Sequence, residues 1–234
     1  MFDIDYKFSY LVLTLPFLII WVIIFIFKKG LRKEMLIVSS ITAIIGPISE
    51  IIYFRDYWFP ESMFSIFLGS FPVMVEDLLF GFAIGGIAAV IYNFIFNIEL
   101  VKKRVSTKFK SLRLVSIVMI VLVVLILIGV NSIFASSVAF LSGGLYVLIR
   151  RRDLLINSLV SGTFMMVTVF VCYYFLYHFI FSNPSEILSK GWYLYGTSLG
   201  TTLFNIPVSE LVWAFSWGFL AGPIYEFITN RLSI

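Results

Sequence analysis

Cysteine is almost absent from this chain of 234 residues: Cys172 is the only one, and it lies in an apolar run. One cysteine excludes an intramolecular disulfide and any cysteine-based metal cluster. Charge is scarce, at 13% of residues, and there is one histidine, His178. No low-complexity tract, flexible linker or stretch of soluble-domain composition interrupts the chain. No glycine-rich phosphate loop or dinucleotide turn follows a strand pattern. The acids are isolated, not grouped into the paired motifs that bind magnesium diphosphate, which argues against a prenyltransferase. No lysine occurs within 204–228, so the last apolar segment cannot form the Schiff base of a retinal pigment. The net charge of +4 is not a nucleic-acid signal, because the basic residues sit between apolar segments. No redox cofactor and no metal are implied.

Apolar residues are abundant instead. They make up 61% of the chain, against about 45–50% in soluble domains. Stretches of about 20 apolar residues recur along the whole length, the mark of membrane-spanning helices. The fold class is therefore an all-α polytopic membrane protein in one membrane domain, 1–234. Seven spans are predicted at 8–27, 35–54, 71–97, 112–131, 133–149, 154–181 and 204–228. Gly129, Asn131 and Ser132 supply the break between the fourth and fifth. The first span is too long, with too little basic charge before it, for a cleaved signal peptide.

Basic residues orient these spans. Lys28, Lys29, Arg32 and Lys33 follow the first span. Lys102, Lys103, Arg104, Lys108, Lys110 and Arg113 follow the third; Arg150, Arg151 and Arg152 follow the fifth, and Arg231 the seventh. An outside N-terminus and a cytoplasmic C-terminus put all of these inside and leave Lys7, Arg55 and Lys190 outside, in accord with the positive-inside rule. The expected location is a prokaryotic plasma membrane.

One pattern occurs twice. Asp77 is followed by Phe80, Gly81 and Gly85, and Glu210 by Trp213, Ala214 and Gly218. Each is an acid with an aromatic at i+3, a small residue at i+4 and a glycine at i+8, on one helical face. Pro72 and Pro207 precede the two acids, and Asp56-Tyr57-Trp58 and Gly191-Trp192-Tyr193 mark the preceding external loops. The pattern predicts two parallel three-helix repeats, 1–99 and 133–234, joined by a connecting helix, 112–131. Sites in such folds lie where the halves meet. A carboxyl in a membrane segment costs about 2.5–3.5 kcal/mol on insertion scales, so it normally serves a purpose. Glu76, Asp77 and Glu210 are expected roughly 7–10 Å below the outer helix ends, with Glu50 and His178 at similar depth.

Glu76-Asp77-Leu78-Leu79-Phe80, preceded by a tryptophan-containing loop, resembles the small integral-membrane lycopene cyclases, found as two short subunits or one fused seven-helix chain. That family carries Pro-x-Glu-Glu and a Leu-Leu-Phe-like run once per half. Here Met74 occupies the first proline position, while Pro207 is in place and Ser209 replaces the first acid of the second copy. The resemblance implies a lycopene cyclase-like isomerase that protonates the end of a linear carotenoid or related polyene taken from the bilayer, closes a ring and releases a proton, with no net redox change. It implies Asp77, Glu210 and Glu76 as catalytic carboxyls. Phe80, Trp213 and Trp217 would stabilise the cation, at up to about 2 kcal/mol or more per desolvated contact. Glu50, His178, Trp58 and Trp192 are further candidates to line the substrate.

Other readings stand beside these. Glu76 and Asp77 suit the positive end of a helix dipole. Glu50 lies in Gly46-Pro47-Ile48-Ser49-Glu50 and can pair with Arg55; Glu226, in the echo Gly222-Pro223-Ile224-Tyr225-Glu226, falls at the cytoplasmic end near Arg231. His178 can serve packing, Trp58 and Trp192 an interfacial belt, and the glycines close helix contact. The competing function is a non-enzymatic lipid- or isoprenoid-binding protein, or a small proton-coupled transporter.

Overall fold

The computed structural model describes residues 1–68, 71–98, 100–102 and 110–233. Lys103, Arg104 and Lys108 of the third-span loop lie outside the described residues. Helices dominate: α1 Ser9–Phe27, α2 Arg32–Asp56, α3 Val75–Phe96, α4 Lys110–Leu127, α5 Ser132–Arg150, α6 Leu155–Phe175, α7 Pro184–Gly191, α8 Val208–Ala221 and α9 Ile224–Thr229. Three two-residue to four-residue strand pairs accompany them: β1 Ser65–Leu68 with β2 Phe71–Met74, β3 Leu100–Lys102 with β6 Arg231–Ser233, and β4 Thr202–Leu203 with β5 Ile206–Pro207. All are antiparallel. Among the described residues, six helical segments are long and apolar enough to cross a membrane, and Ser111–Leu127 is a shorter apolar helix. The protein is an all-α polytopic membrane protein. Ile41, Ile44, Ile45, Ile48 and Ile51 of α2 are 51–65% exposed, a surface suited to lipid tails rather than water.

The helix boundaries depart from expectation where polar or turn-forming residues intervene. The third span begins at Val75, not 71, because Phe71–Met74 pairs with Ser65–Leu68. Pro72 therefore sits in β2, opposite Phe67, while Pro207 is the N-cap of α8. The seventh span starts at Val208 rather than 204 and is divided at Gly222–Pro223. Proline lacks the N–H that would continue the helix. The fourth and fifth spans separate where expected: Gly129 takes a left-handed conformation (φ 85°), and the Asn131 side chain accepts from Ile133 N to start α5. The short helix α7, begun by Pro184 at its first position, was not anticipated.

α3 packs on α2, and α8 on α6, at very short range. A Cβ added to Gly46 would meet the Asp77 carbonyl, and one on Gly81 the Thr42 carbonyl. In the second pair, a Cβ on Gly162 would meet the Phe215 carbonyl and one on Gly218 the Ser161 carbonyl. Small residues allow such backbone contact, which lipid-embedded helices use in place of a hydrophobic driving force. α3 and α8 also meet each other. At the end carrying the basic clusters, Asn93 Nδ2 donates to Glu226 Oε1 at 3.0 Å, and Asn157 Nδ2 donates to the same oxygen at 3.1 Å. Glu226, read from the sequence only as falling at one helix end near Arg231, is fully buried (0% exposed) and bonded to side chains of α3 and α6.

Gly81→Val should force α2 and α3 apart at a cost of about 1–3 kcal/mol. The unfolding temperature in detergent is expected to fall, while Gly30→Val, with no atom near its added Cβ, serves as the control that does not.

Candidate functional site

Each of α3 and α8 begins with a short strand pair and then an acid in its first turn: Glu76 and Asp77 in α3, Glu210 in α8. The expected depth of roughly 7–10 Å below the helix ends is therefore corrected. The carboxyls lie about two residues from the helix starts, because the hairpins replace the first helical turn. They are nevertheless buried, at 1% exposure for Glu76 and Asp77 and 8% for Glu210. Overlying polypeptide covers them.

That cover comes from the two segments around Trp58 and Trp192, which are joined backbone to backbone. Phe59 N donates to Gly191 O at 2.9 Å, and Tyr193 N to Tyr57 O at 2.8 Å. Trp58 and Trp192 are paired across this bridge, with ring centroids 5.4 Å apart. Their indole N–H groups point at carboxyls. Trp58 Nε1 donates to Glu50 Oε2 at 2.9 Å, so Glu50 is bound to tryptophan rather than to Arg55. Trp192 Nε1 lies 3.2 Å from both Glu210 Oε1 and Tyr57 Oη. Tyr57 Oη donates to Glu210 Oε1 at 2.6 Å and is 3.3 Å from Ser209 Oγ. Tyr10 Oη donates to Asp77 Oδ1 at 2.8 Å. Such donors offset the loss of water around a buried carboxyl.

Glu50, Asp77 and Glu210 line one cavity. Its walls are otherwise almost wholly apolar and aromatic. Phe80 stacks on Trp213 (6.3 Å between centroids, 27° between planes), and Trp213 on Trp217 (6.4 Å, 13°). Phe140 meets Trp217 edge-on at 5.2 Å, and Tyr173 and Ile84 complete the floor. Ile45, half exposed on the lipid-facing side of α2, lines the mouth. Among the described residues, no lysine or arginine lines the cavity. The arrangement can exclude water, offer and accept protons, and place π faces beside a transient cation.

The other sequence candidates fall elsewhere. Glu76 is not part of the lining; its carboxyl accepts from Ser62 Oγ at 2.6 Å and Met63 N at 2.8 Å, tying down the segment before β1. His178 sits in a wide turn, Leu176–Ile180, stacked on Tyr174 at 4.1 Å, with Nδ1 3.0 Å from the Tyr174 carbonyl. It does not line the cavity. Tyr10, Tyr53 and Tyr57 line it but were not singled out from the sequence. For Tyr57 a signal existed, since it directly precedes Trp58 in the loop that faces the acids. Among the described residues, no three His, Cys, Asp or Glu side chains are grouped to hold a metal.

The Tyr10–Asp77 bond is open to a double-mutant cycle. Tyr10→Phe and Asp77→Leu, singly and together, should show a coupling of about 1–3 kcal/mol in unfolding free energy. Additive effects would contradict the bond.

Comparison with known proteins bears on this geometry. A search of curated proteins finds no significant match, and neither does a search of solved structures. The family model described as lycopene cyclase matches residues 131–228. That stretch runs from the Asn131 cap through α9 and includes Trp192, Glu210, Trp213 and Trp217; Asp77 lies before it. The match supports membership of this chain in a lycopene cyclase family.

Proposed function

We propose that the protein cyclises the end group of a linear carotenoid or related polyene within the bilayer, with Asp77 and Glu210 as its proton-handling groups. One observation carries this reading: two carboxyls from opposite halves of the chain line a single apolar, aromatic-walled cavity, and the exposed apolar Ile45 is part of the same lining. The family match supports a carotenoid cyclase-like function in general terms.

The chemistry begins with proton transfer from a carboxyl to the terminal double bond. The tertiary cation is attacked by a neighbouring double bond, which closes the ring, and a proton then leaves. A weak acid protonates an alkene poorly, so most of the assistance must come from a dry site with preorganised π faces and dipoles. Phe80, Trp213 and Trp217 supply the faces. Glu50 is a third carboxyl of the same cavity. Trp58 and Trp192 act as donors to carboxyls, and Glu76 holds the loop that closes the site from outside.

Two halves, 1–99 and 133–234, joined by the helix at 112–131, explain why the acids come in a pair. This reading is supported by the strand pairs before α3 and α8, by Met74 and Pro207 as their N-caps, and by Asn93 and Glu226, each sixteen residues after its acid. The basic clusters support an N-terminus outside, so the cavity would lie toward the outer face of a prokaryotic plasma membrane.

Expression in lycopene-accumulating cells, followed by pigment chromatography, tests the reading. Cyclised pigment is expected. Asp77→Asn and Glu210→Gln, with folding intact, should lower the wild-type ring product by about a hundredfold or more. Unchanged lycopene with well-folded protein would contradict lycopene as substrate, and full activity in both variants would contradict the site.

A further inference from the structure

We infer that the two carboxyls divide the work: Asp77 gives the proton, Glu210 takes it back, and Tyr57 positions Glu210 so that the ring double bond forms at one place. This rests on the cyclase reading above and assigns roles within it.

The hydrogen bonding of the two acids is unequal. Two donors, Tyr57 Oη at 2.6 Å and Trp192 Nε1 at 3.2 Å, converge on Glu210 Oε1. Donors converging on one oxygen favour the charged carboxylate, which is the form that accepts a proton. Asp77 Oδ1 has one side-chain donor, Tyr10, the Met74 backbone also donates to this carboxyl, and Asp77 Oδ2 has no hydrogen-bond partner within reach although it is buried. A buried carboxyl oxygen without a donor is costly when charged; carrying the proton removes that charge. The remaining ionisable groups facing the cavity are Glu50, held by Trp58, and the phenols Tyr53 and Tyr173. None is a cation.

Tyr57 is itself immobilised. It is 2% exposed, its hydroxyl is held by Trp192 and lies beside Ser209, and its carbonyl accepts from Tyr193 N. The base is thereby fixed through a side chain anchored at both ends. Tyr57 is a positioning residue, acting through Glu210.

The steps balance. The terminal π pair takes the Asp77 proton to make a C–H bond and leaves a tertiary cation. The next π pair makes the ring C–C bond and moves the cation to a ring carbon. A C–H bond beside that carbon then breaks, its electrons become the ring double bond, and the proton passes to Glu210. Between turnovers Glu210 gives up its proton and Asp77 takes a new one by exchange with water. Three kinds of C–H bond flank such a ring cation: the ring carbon bearing the polyene, the ring methylene and the methyl group. The one that breaks is the one nearest the base. A displacement of about 1 Å can change a rate by about a hundredfold, so freeing Glu210 should alter which isomer forms.

The test has two arms. In lycopene-accumulating cells, Tyr57→Phe should still form rings but change the ratio of double-bond isomers by about tenfold or more. An unchanged ratio, beside a wild type that does form rings, overturns the inference and leaves the cyclase reading intact. A wild type that forms no rings overturns both. Infrared difference spectra of the purified protein form the second arm and need no turnover. Asp77→Asn should remove a protonated-carboxyl band that Glu210→Gln retains. Loss of such a band in Glu210→Gln but not in Asp77→Asn overturns the division of roles.

Discussion

A carboxyl inside an apolar helix bundle needs hydrogen-bond donors that water would otherwise supply, and this fold provides them from tyrosine and tryptophan. Tyr10 serves Asp77, Trp58 serves Glu50, and Tyr57 with Trp192 serves Glu210. The rest of this end of the bundle follows from that requirement. The two tryptophan-bearing loops must meet for Trp58 and Trp192 to reach inward, and they do so through main-chain bonds between the Tyr57–Phe59 and Gly191–Tyr193 segments. The strand pairs before α3 and α8 bring the chain back under those loops, so that acids in the first helical turn are covered rather than left at the headgroups.

The scaffold beneath holds this arrangement still. Backbone contact at Gly46 and Gly81, and at Gly162 and Gly218, fixes α2 against α3 and α6 against α8. At the opposite end, Glu226 accepts from Asn93 and Asn157 and so joins α3, α6 and α9. Between the carboxyl layer and this clamp run the rings of Phe80, Trp213 and Trp217, bordering a cavity with no cationic side chain among the described residues. Positive charge developing there has only π faces and carboxyls to stabilise it, which suits a carbocation better than a permanent ion.

Periodic hydrophobicity made the spans legible, since a lipid-facing helix must be apolar for about 20 residues. The turn at Gly129–Ser132 was legible for the same local reason. The starts of α3 and α8 were not. Phe71–Met74 and Ile206–Pro207 are as apolar as a helix, and only their pairing with Ser65–Leu68 and Thr202–Leu203 makes them strands. In the site, Asp77, Glu210, Phe80, Trp213 and Trp217 could be read from their common helical spacing. Tyr10 could not, because its bond to Asp77 spans 67 positions and leaves no local trace. Glu76 and Asp77 look alike in sequence. The structure separates them, turning one toward the Ser62–Met63 segment and the other toward the cavity.

The central claim is that carboxyls from both halves of the chain perform proton chemistry on a polyene in one dry cavity. Conversion by the purified protein in heavy water, followed by mass spectrometry of the product, tests it most directly. One deuterium per new ring, on carbon, is the result this account predicts. Ring product that carries no deuterium would contradict it.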